Sequence, residues 1–402
     1  MKRVAITGLG CVSAAGLGVG ALLDALRSGR SAIAPVQALK ARGIANAIGA
    51  EVRGFDPAQH FDPDRLPLLD RFAQFALIAA REALAGAGLE TSVLRRDTAV
   101  ILGSGVGGKQ SDDEASERLY SGDGRVHPLV IPRTMMSAAT SHVTMEFGMT
   151  GPAFTVTSAC SSSAHALGQA MLMIRSGMVP VALAGGSDAA FCYGLYKAWA
   201  AMRLLAPDTC RPFDRNRRGL VLGEGAGILV LEDLDHAQAR GAAIHAELAG
   251  FGMTSDADHI TQPSADGEAQ AMVRALQDGG IATHEIEYIN AHGTGTPMND
   301  RIETTAIKMV FDQHAQRLPV SSTKSILGHA LGAAGALECV ACVLAMEHRF
   351  VPPTANYVTA DPECDLDCVP NLMRPMEIGA ALSNSFAFGG LNAVIALKRW
   401  DG

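Results

Sequence analysis

The chain has 402 residues and a net charge of −8, from 33 Lys and Arg against 41 Asp and Glu. With 48% hydrophobic and 18% charged residues it can bury a large core, which excludes wholesale disorder. The acidic balance argues against general nucleic-acid binding, because that function needs a basic face. Eight cysteines are too few for a disulfide scaffold, so we expect a reducing compartment and a cytoplasmic protein.

The N-terminal segment needs separate attention because residues 4–23 are uncharged and follow Lys2 and Arg3. A signal peptide or a short membrane span can have this length. Five glycines interrupt the segment, however, and no strong apolar block forms. We therefore predict a strand at 3–7, a glycine turn and a helix at 20–28, and we expect no membrane span.

Short apolar runs alternate with amphipathic segments along the rest of the chain. These patterns predict strands at 98–102, 154–158, 181–184, 225–232, 246–251, 286–291, 320–322, 381–385 and 393–398. They predict helices at 71–86, 163–176, 235–240, 267–279, 300–311 and 332–347. Strands that alternate with helices indicate layered α/β structure. The pattern begins again near residue 246, which predicts two similar, closely packed halves, 1–245 and 246–402.

One glycine pattern raises the possibility of a nucleotide site. Gly103, Gly105 and Gly108 satisfy G-x-G-x-x-G directly after a predicted strand. In a dinucleotide site this pattern places the pyrophosphate at the start of a helix. The polar and acidic residues 109–116 that follow suit neither helix–sheet packing nor a phosphate. We therefore favour a tight turn and expect no cofactor.

The segment around Cys160 carries the strongest chemical signal. A β-rich strand runs into Cys160, and a helix of small residues follows. The start of a helix lowers the pKa of a thiol and can bind an oxyanion through free N–H groups. The alternative is an inert buried cysteine. The strand–turn–helix context favours a nucleophile.

A second candidate segment surrounds His292, which also lies where a predicted strand ends. Thr294 and Thr296 add hydrogen-bonding groups at a turn of small residues. Asp300 and Glu303 follow one turn apart near the start of the next helix, where acidic side chains favour the helix dipole. Helix capping is the simpler interpretation of these two acids.

A third segment holds His329 among glycines and alanines that permit close backbone approach. Lys324 is an isolated cation in the same small-residue neighbourhood and needs a carboxylate partner. Glu303, Asp300 and Glu338 are the candidates.

The last candidate segment, 383–390, is a strand that ends in a glycine-rich loop. Its aromatic residues Phe386 and Phe388 suit a gate, and a hydrophobic strand with a turn is the alternative. Metal sites are not indicated, because the pairs Cys339/Cys342 and Cys364/Cys368 lack a second ligand pair or a nearby His. We therefore expect no metal.

Together these blocks resemble the β-ketoacyl-acyl-carrier-protein synthases, most closely the elongating, KAS II-like type of the thiolase superfamily. The blocks Ala-Cys160-Ser-Ser-Ser, Asn-Ala-His292-Gly-Thr-Gly-Thr-Pro, Thr-Lys324-Ser-Ile-Leu-Gly-His329 and Phe388-Gly-Gly occur in the family's order and span nearly the whole chain. The resemblance implies an α/β, thiolase-like fold of two pseudo-duplicated βαβαβαββ halves in a layered α-β-α-β-α arrangement. The first half would carry Cys160, and the second would carry His292 and His329.

The resemblance further implies an acyltransferase that needs neither metal nor redox cofactor. Cys160 would accept an acyl group from a carrier-protein thioester, and malonyl-carrier protein would then lose carbon dioxide and attack it. The backbone N–H groups of Cys160 and Phe388 would form the oxyanion hole. His292 and His329 would donate to the enolate oxygen, and Lys324, paired with Glu303, would organise both imidazoles electrostatically.

The same resemblance assigns the substrate contacts. Thr294 and Thr296 would touch the malonyl-pantetheine arm, and Phe388, with Phe386 beside it, would gate the acyl site. The remaining assignments are Trp199 in the fatty pocket, Val106 at its far end near the dimer contact, and Arg203 at the acidic carrier protein. Ala387 departs from the family's usual Gly and leaves the motion of the loop in question.

Two pathways and two assemblies stay open at this point. The main hypothesis is fatty-acid elongation by a homodimer. The alternative is the catalytic ketosynthase subunit of a type II polyketide or aryl polyene pathway, paired with a homologous chain-length factor. A non-catalytic chain-length factor is disfavoured because Cys160 and both His are present. A degradative thiolase is disfavoured because residues 386–392 lack a second Cys.

Overall fold

The computed structural model describes residues 2–89, 97–122 and 124–402. The strands in these residues are β1 (Val4–Ser13), β2 (Gly16–Leu17), β3 (Ala34–Pro35), β4 (Ile48–Gly49), β5 (Thr98–Gly103), β6 (Ala153–Val156), β7 (Val181–Asp188), β8 (Gly225–Asp233), β9 (Ala246–Ser255), β10 (Tyr288–Asn290), β11 (Val320–Ser321), β12 (Phe350–Val351), β13 (Arg374–Pro375), β14 (Ala380–Ala387) and β15 (Leu391–Arg399).

The helices of the same residues are α1 (Val19–Ser28), α2 (Gln37–Ala41), α3 (Arg71–Ala87), α4 (Lys109–Tyr120), α5 (Val130–Thr134), α6 (Ala138–Phe147), α7 (Ser162–Arg175), α8 (Tyr193–Ala201), α9 (Leu234–Ala239), α10 (Ala265–Gly279), α11 (Pro297–Phe311), α12 (Lys324–Leu327) and α13 (Ala334–Glu347). Within the described ranges, no helix combines the length and the apolar character that a bilayer crossing requires.

Ten strands form one continuous sheet in the order β11-β10-β14-β15-β9-β1-β8-β7-β5-β6, and β2 pairs with β1. Each half of this sheet contains five strands. If the five are numbered along the chain, their spatial order from the outer edge inward is the same in both halves: third, second, fourth, fifth, first. In both halves the second strand is parallel to its two neighbours, and the remaining pairs are antiparallel. The halves join where β1 pairs with β9 at Ala5–Glu247 and Ile6–Ala246.

Helices cover this sheet in layers. The apolar helices α7 and α13 pack against each other and against strands from both halves of the sheet. On the outer faces, α3 and α6 cover the first half, and α10 and α11 cover the second. This arrangement confirms the layered α/β fold with two similar halves that the resemblance implies.

The predicted glycine turn after residue 7 is wrong, because β1 continues to Ser13. A Cβ at Gly10 would lie 2.0 Å from the carbonyl oxygen of Ala79, so this glycine lets α3 pack directly on the strand. Gly252 has the same function in the second half, where a Cβ would lie 2.0 Å from the carbonyl oxygen of Ala271 in α10. These glycines mark close helix–strand contact rather than chain reversal.

The G-x-G-x-x-G segment is a turn that a carboxylate of this chain fills. Buried Asp188, at the end of β7, accepts hydrogen bonds from the N–H groups of Gly105 (2.8 Å) and Val106 (3.2 Å). It also accepts from the Ser104 hydroxyl (2.6 Å) and from the N–H of Gly332 (2.7 Å). An internal carboxylate therefore occupies the position that a nucleotide phosphate would need. The polar segment that follows is α4.

Candidate active site

Cys160 lies in a short 3-10 turn between the end of β6 and the start of α7. The residue before it, Ala159, has φ 52°, in the left-handed region that non-glycine residues rarely adopt. This strained turn ends the strand two residues earlier than predicted and holds the sulfur beside the first turn of a 14-residue helix. The strand–turn–helix context of Cys160 is therefore confirmed.

The electrostatic environment of Cys160 differs from the sequence expectation. Burial raises the pKa of the thiol to about 12, although Lys324 and a backbone hydrogen bond from Phe388 lower it. The expected depression of the pKa by the helix is therefore outweighed by the loss of solvent around the sulfur. The resting group is a neutral thiol, so its attack requires a proton acceptor.

His292 follows β10 in a turn that two buried carboxylates hold from behind. Glu303 of α11 accepts the N–H groups of His292 (2.8 Å) and Gly293 (2.7 Å). Asp300, one turn earlier, accepts the N–H of Gly295 (3.1 Å). Burial raises the pKa of Glu303 to about 7. The two acids hold the turn, and neither caps α11, which has no side-chain capping hydrogen bond, so the simpler interpretation as helix caps is wrong.

His329 lies in the segment between α12 and α13, and its ring orientation is fixed. The N–H of Leu331 donates to its Nδ1 (3.2 Å), so in the neutral ring the proton is on Nε2. That Nε2 is buried and has no hydrogen-bond partner among the described residues. His329 therefore presents a free donor to the site.

The structure brings the thiol and the two imidazoles together. Their donor atoms all lie within 4.8 Å of one another, and the rings of His292 and His329 meet edge to face with centroids 5.4 Å apart. All three residues are buried. Among the described residues, these three form the only group of His, Cys or acidic side chains whose ligand atoms lie close enough together to hold a metal ion. A metal there would engage the sulfur itself.

Lys324 lies behind the triad with 1% of its surface exposed. Its Nζ pairs with Glu338 of α13, so the expected pairing with Glu303 is wrong. Glu303 is already engaged by two backbone N–H groups and by Asn384 Nδ2 (3.2 Å). Burial raises the pKa of Glu338 to about 7, and Lys324 opposes this rise.

The Lys324 charge acts on both imidazoles. Burial lowers the pKa of His292 and of His329 well below the usual value, and Lys324 lowers each further. Both rings are therefore neutral at physiological pH. Neutral rings can donate or accept a proton, as an acyl transfer site requires.

A cavity of about 550 Å³ opens onto Cys160. The predicted residues that line it are Cys160, Trp199, Arg203, His292, Thr294, Thr296, His329, Phe386 and Phe388. Lys324 and Glu303 lie behind it. Val106 does not line the cavity; it packs in an apolar cluster with Trp199 instead.

Two further positions shape the site and were not predicted from the sequence. Asp188 accepts hydrogen bonds from Gly105 and from Gly332, and so connects the turn at Gly105 to the segment after His329. The signal in the sequence that could have identified Asp188 is a carboxylate at the end of a predicted strand, within Gly-Gly-Ser-Asp. Arg218 lines the cavity beside Arg203, and no pattern in the sequence distinguishes it from other surface arginines.

Two family models match consecutive parts of the chain. The first is "Beta-ketoacyl synthase, N-terminal domain" over residues 1–237, and the second is "Beta-ketoacyl synthase, C-terminal domain" over residues 245–358. Together they cover most of the sequence.

Full-length relatives agree with these models. The chain is 48% identical over 403 residues to nodulation protein E of Rhizobium sp. (strain N33), with 99% of each chain covered. It is 42% identical over 408 residues to 3-oxoacyl-[acyl-carrier-protein] synthase 2 of Coxiella burnetii, again with 99% of each covered. A solved structure, the ishigamide ketosynthase/chain length factor, superposes with a TM-score of 0.94 at 39% identity and covers 99% of both chains. The chain therefore belongs to the β-ketoacyl synthase family.

Proposed function

We propose that this chain is a β-ketoacyl-acyl-carrier-protein synthase that joins a malonyl-derived two-carbon unit to an acyl group held on Cys160. The observation that carries the proposal is the convergence of Cys160, His292 and His329 on one cavity. A thiol that can accept an acyl group and two neutral imidazoles are the groups that a decarboxylative condensation needs.

In the first step the sulfur of Cys160 attacks the carbonyl carbon of the carrier-bound thioester. A new sulfur–carbon bond forms, the bond to the pantetheine sulfur breaks, and the thiol proton passes to the leaving thiolate. His292 is the imidazole that can accept this proton, because the Leu331 N–H locks His329 as a donor at Nε2. The backbone N–H groups of Cys160 and Phe388 are proposed to stabilise the oxyanion.

In the second step malonyl thioester loses its carboxylate as carbon dioxide, and the electron pair moves into an enolate. The Nε2–H of His329 and the ring of His292 are proposed to donate to the enolate oxygen. The enolate carbon then attacks the acyl carbonyl and releases the Cys160 thiolate. One proton taken up from solvent regenerates the thiol, which balances the loss of carbon dioxide.

The remaining lining residues are proposed to hold the substrate arm. The hydroxyls of Thr294 and Thr296 lie 2.9 Å apart at the cavity wall, where they can contact a pantetheine amide. Arg203 and Arg218 are exposed at the same cavity and give an acidic protein a local basic feature. An acidic carrier protein is the partner that such a feature suits.

The assembly and the domain division are proposals of the same kind. The repeated strand order supports two halves, 1–245 and 246–402. β6 lies at the end of the sheet with Phe154 exposed, as in an edge strand that pairs with a second subunit. We propose a homodimer in the cytoplasm, and the eight unpaired cysteines suit a reducing compartment.

A second candidate function is the catalytic subunit of a type II pathway. The similarity to a ketosynthase/chain length factor favours it. Size measurement of the protein expressed alone separates the assemblies. A stable, active homodimer removes the need for a partner, whereas an inactive monomer that a homologous subunit activates supports the second candidate.

Intact-protein mass spectrometry with acyl-carrier proteins of varied chain length tests the proposal. We expect the mass to increase by the acyl group and the adduct to disappear in Cys160→Ala. An adduct that persists in Cys160→Ala would overturn the nucleophile assignment. Condensation to a 3-ketoacyl product on adding malonyl-carrier protein tests the second step.

A further inference from the structure

Three consecutive serines, 161–163, follow the reactive cysteine and are fully buried. Their hydroxyls contact different parts of the molecule. Ser162 closes its own turn by donating to the carbonyl oxygen of Ala159 (2.6 Å). Ser163 accepts the N–H of Ala336 in α13 (2.9 Å). The first of the three connects the cysteine turn to a strand of the second half.

Ser161 makes this connection at the start of β15. Its Oγ lies 2.9 Å from the carbonyl oxygen of Leu391, the first residue of that strand, and 2.9 Å from the carbonyl oxygen of Ser158. Both of these oxygens only accept, so the single hydroxyl proton is shared between them. The hydroxyl therefore bridges the Cys160 turn and a segment that lies 230 residues away along the chain.

The segment that Ser161 contacts also supplies the N–H of Phe388. Phe388 shortly precedes Leu391, and its N–H donates a hydrogen bond to the thiol of Cys160. Two glycines with positive φ (83° and 69°) separate Phe388 from Leu391, and glycine resists backbone changes less than other residues do. Backbone hydrogen bonds from the loop 256–260 support these glycines on one side. Ser161 supports the segment on the side of the reacting sulfur.

His165, in the first turn of α7, braces the surroundings of this hydroxyl. Its Nδ1 lies 3.1 Å from the carbonyl oxygen of Ser161 and 3.0 Å from Ser158 Oγ. Burial lowers the pKa of His165, so the ring is neutral at physiological pH. Because a carbonyl oxygen only accepts, the neutral ring carries its proton on Nδ1. This N–H fixes Ser158 and the Ser161 main chain, and so fixes the position from which the Ser161 hydroxyl donates.

We propose that Ser161 is a positioning residue for acylation: its hydroxyl holds the start of β15 against the Cys160 turn and so keeps the Phe388 N–H directed at the reacting centre. This inference rests on the proposed function and adds a residue to it. Neither Ser161 nor His165 lines the cavity, so both act through the Phe388 segment rather than on the substrate.

Acylation of Cys160 by acetyl-pantetheine measures this role. In Ser161→Ala the maximal acylation rate should fall by about 10- to 100-fold, because the oxyanion donor is displaced rather than removed. The half-saturating concentration of the thioester should stay within about twofold, because no group that contacts the substrate is lost. Ser163→Ala removes another fully buried hydroxyl at the start of the same helix. It is the matched control and should acylate at the parent rate.

Iodoacetamide separates an effect on the N–H donor from an effect on the sulfur. Alkylation of Cys160 forms a sulfur–carbon bond and releases iodide and a proton, and no oxyanion forms. Ser161→Ala should therefore be alkylated at Cys160 within about threefold of the parent rate, as measured on the Cys160 peptide by mass spectrometry. If alkylation and acylation slow by the same factor, the hydroxyl acts on the thiol itself and the proposal is overturned.

Two further measurements examine the brace and the loop. His165→Asn keeps an N–H donor near the position of Nδ1, whereas His165→Leu removes it and should acylate about three- to tenfold more slowly than His165→Asn. Equal rates in the two variants would overturn the brace. Amide hydrogen exchange of the peptide 387–391 should be faster in Ser161→Ala than in the parent or in Ser163→Ala.

The outcomes distinguish this role from the proposed function. If the parent protein acquires no acyl group on Cys160, the proposed function fails. If the parent is acylated, but Ser161→Ala keeps the parent acylation rate and the exchange of 387–391 is unchanged, the role of Ser161 is overturned while the function stands. If Ser161→Ala does not fold, the comparison of His165→Leu with His165→Asn decides.

Discussion

The turns that follow the second strand in each half of the sheet are built alike and used differently. After β5, the carboxylate of Asp188 accepts the N–H groups of Gly105 and Val106. After β10, the carboxylate of Glu303 accepts the N–H groups of His292 and Gly293. In both halves a buried acid from another element fixes a glycine-containing turn at a strand end.

The difference lies in what the turn carries. The first turn bears small side chains, and its acid also binds Gly332 beside the His329 segment. The second turn bears an imidazole directed at Cys160. One backbone arrangement therefore supports the site in the first half and supplies a reacting group in the second. Variants of each half should separate these functions.

The largest effect is expected from the second half. His329→Ala removes the locked Nε2–H donor, so malonyl decarboxylation should fall by at least about 100-fold, while self-acylation of Cys160 stays measurable. Carbon dioxide release and intact mass measure the two steps. Exposed His348→Ala is the matched control. Full decarboxylation by His329→Ala would contradict the role.

Glu303→Gln should have the next largest effect. An amide cannot accept both N–H groups that the carboxylate holds, so His292 loses its fixed position. We expect condensation to slow by about 10- to 100-fold with little change in the fold. A Glu303→Gln variant with the parent rate would show that the carboxylate is not needed to position His292.

Asp188→Asn tests the corresponding acid in the first half. The carboxylate accepts four hydrogen bonds and is fully buried. We expect the free energy of unfolding to fall by about 2–4 kcal/mol, measured by denaturant titration. If this variant loses only activity, the proposed contrast between the halves is wrong.

The buried pair Lys324–Glu338 should set the pH range of activity. In Lys324→Met/Glu338→Met neither charge is left unpaired. Because the Lys324 charge lowers the pKa of both imidazoles, its removal raises them. The acid limb of the pH–rate profile should therefore move upward, by on the order of one pH unit. An unmoved acid limb would contradict this electrostatic role.

Glu268 of α10 should give the smallest effect. Both of its carboxylate oxygens are buried without a hydrogen-bond partner in the described residues, and burial raises its pKa well above the usual value. The unfolded chain ionises near the ordinary pKa, so this acid costs stability as pH rises above that value. Glu268→Gln should raise Tm at pH 8 by a few degrees and change it little at pH 4.5. Exposed Glu114→Gln serves as the control, and equal shifts at both pH values would refute the explanation.

Much of the site could be predicted because its groups lie at strand ends within recognisable blocks. Cys160 and His292 follow β6 and β10, which lie in different halves of the sheet and run in opposite directions, so the resemblance rather than a rule about strand ends predicts that the two residues meet. The partner of Lys324 could not be predicted. Glu303 precedes Lys324 and Glu338 follows it, each at a plausible spacing. Only the backbone N–H groups around His292, which engage Glu303, decide between the two acids.

The position of Val106 away from the cavity wall and the error at the N-terminus have related causes. Which residues line a cavity depends on how the side chains pack, and the spacing of residues along the sequence does not contain that information. Likewise, the sequence alone does not distinguish a glycine such as Gly10, which lies within a strand, from a glycine that forms a turn. The helix that approaches within van der Waals distance is 69 residues away along the chain.

That close approach has an evolutionary consequence. Since Gly10 meets Ala79 and Gly252 meets Ala271 through main-chain carbonyls, the spacing between outer helices and sheet does not depend on side-chain volume there. Substitutions elsewhere on these helices can accumulate without transmitting displacement to the reacting groups. Divergent members could thus exchange surface chemistry while preserving a common catalytic frame.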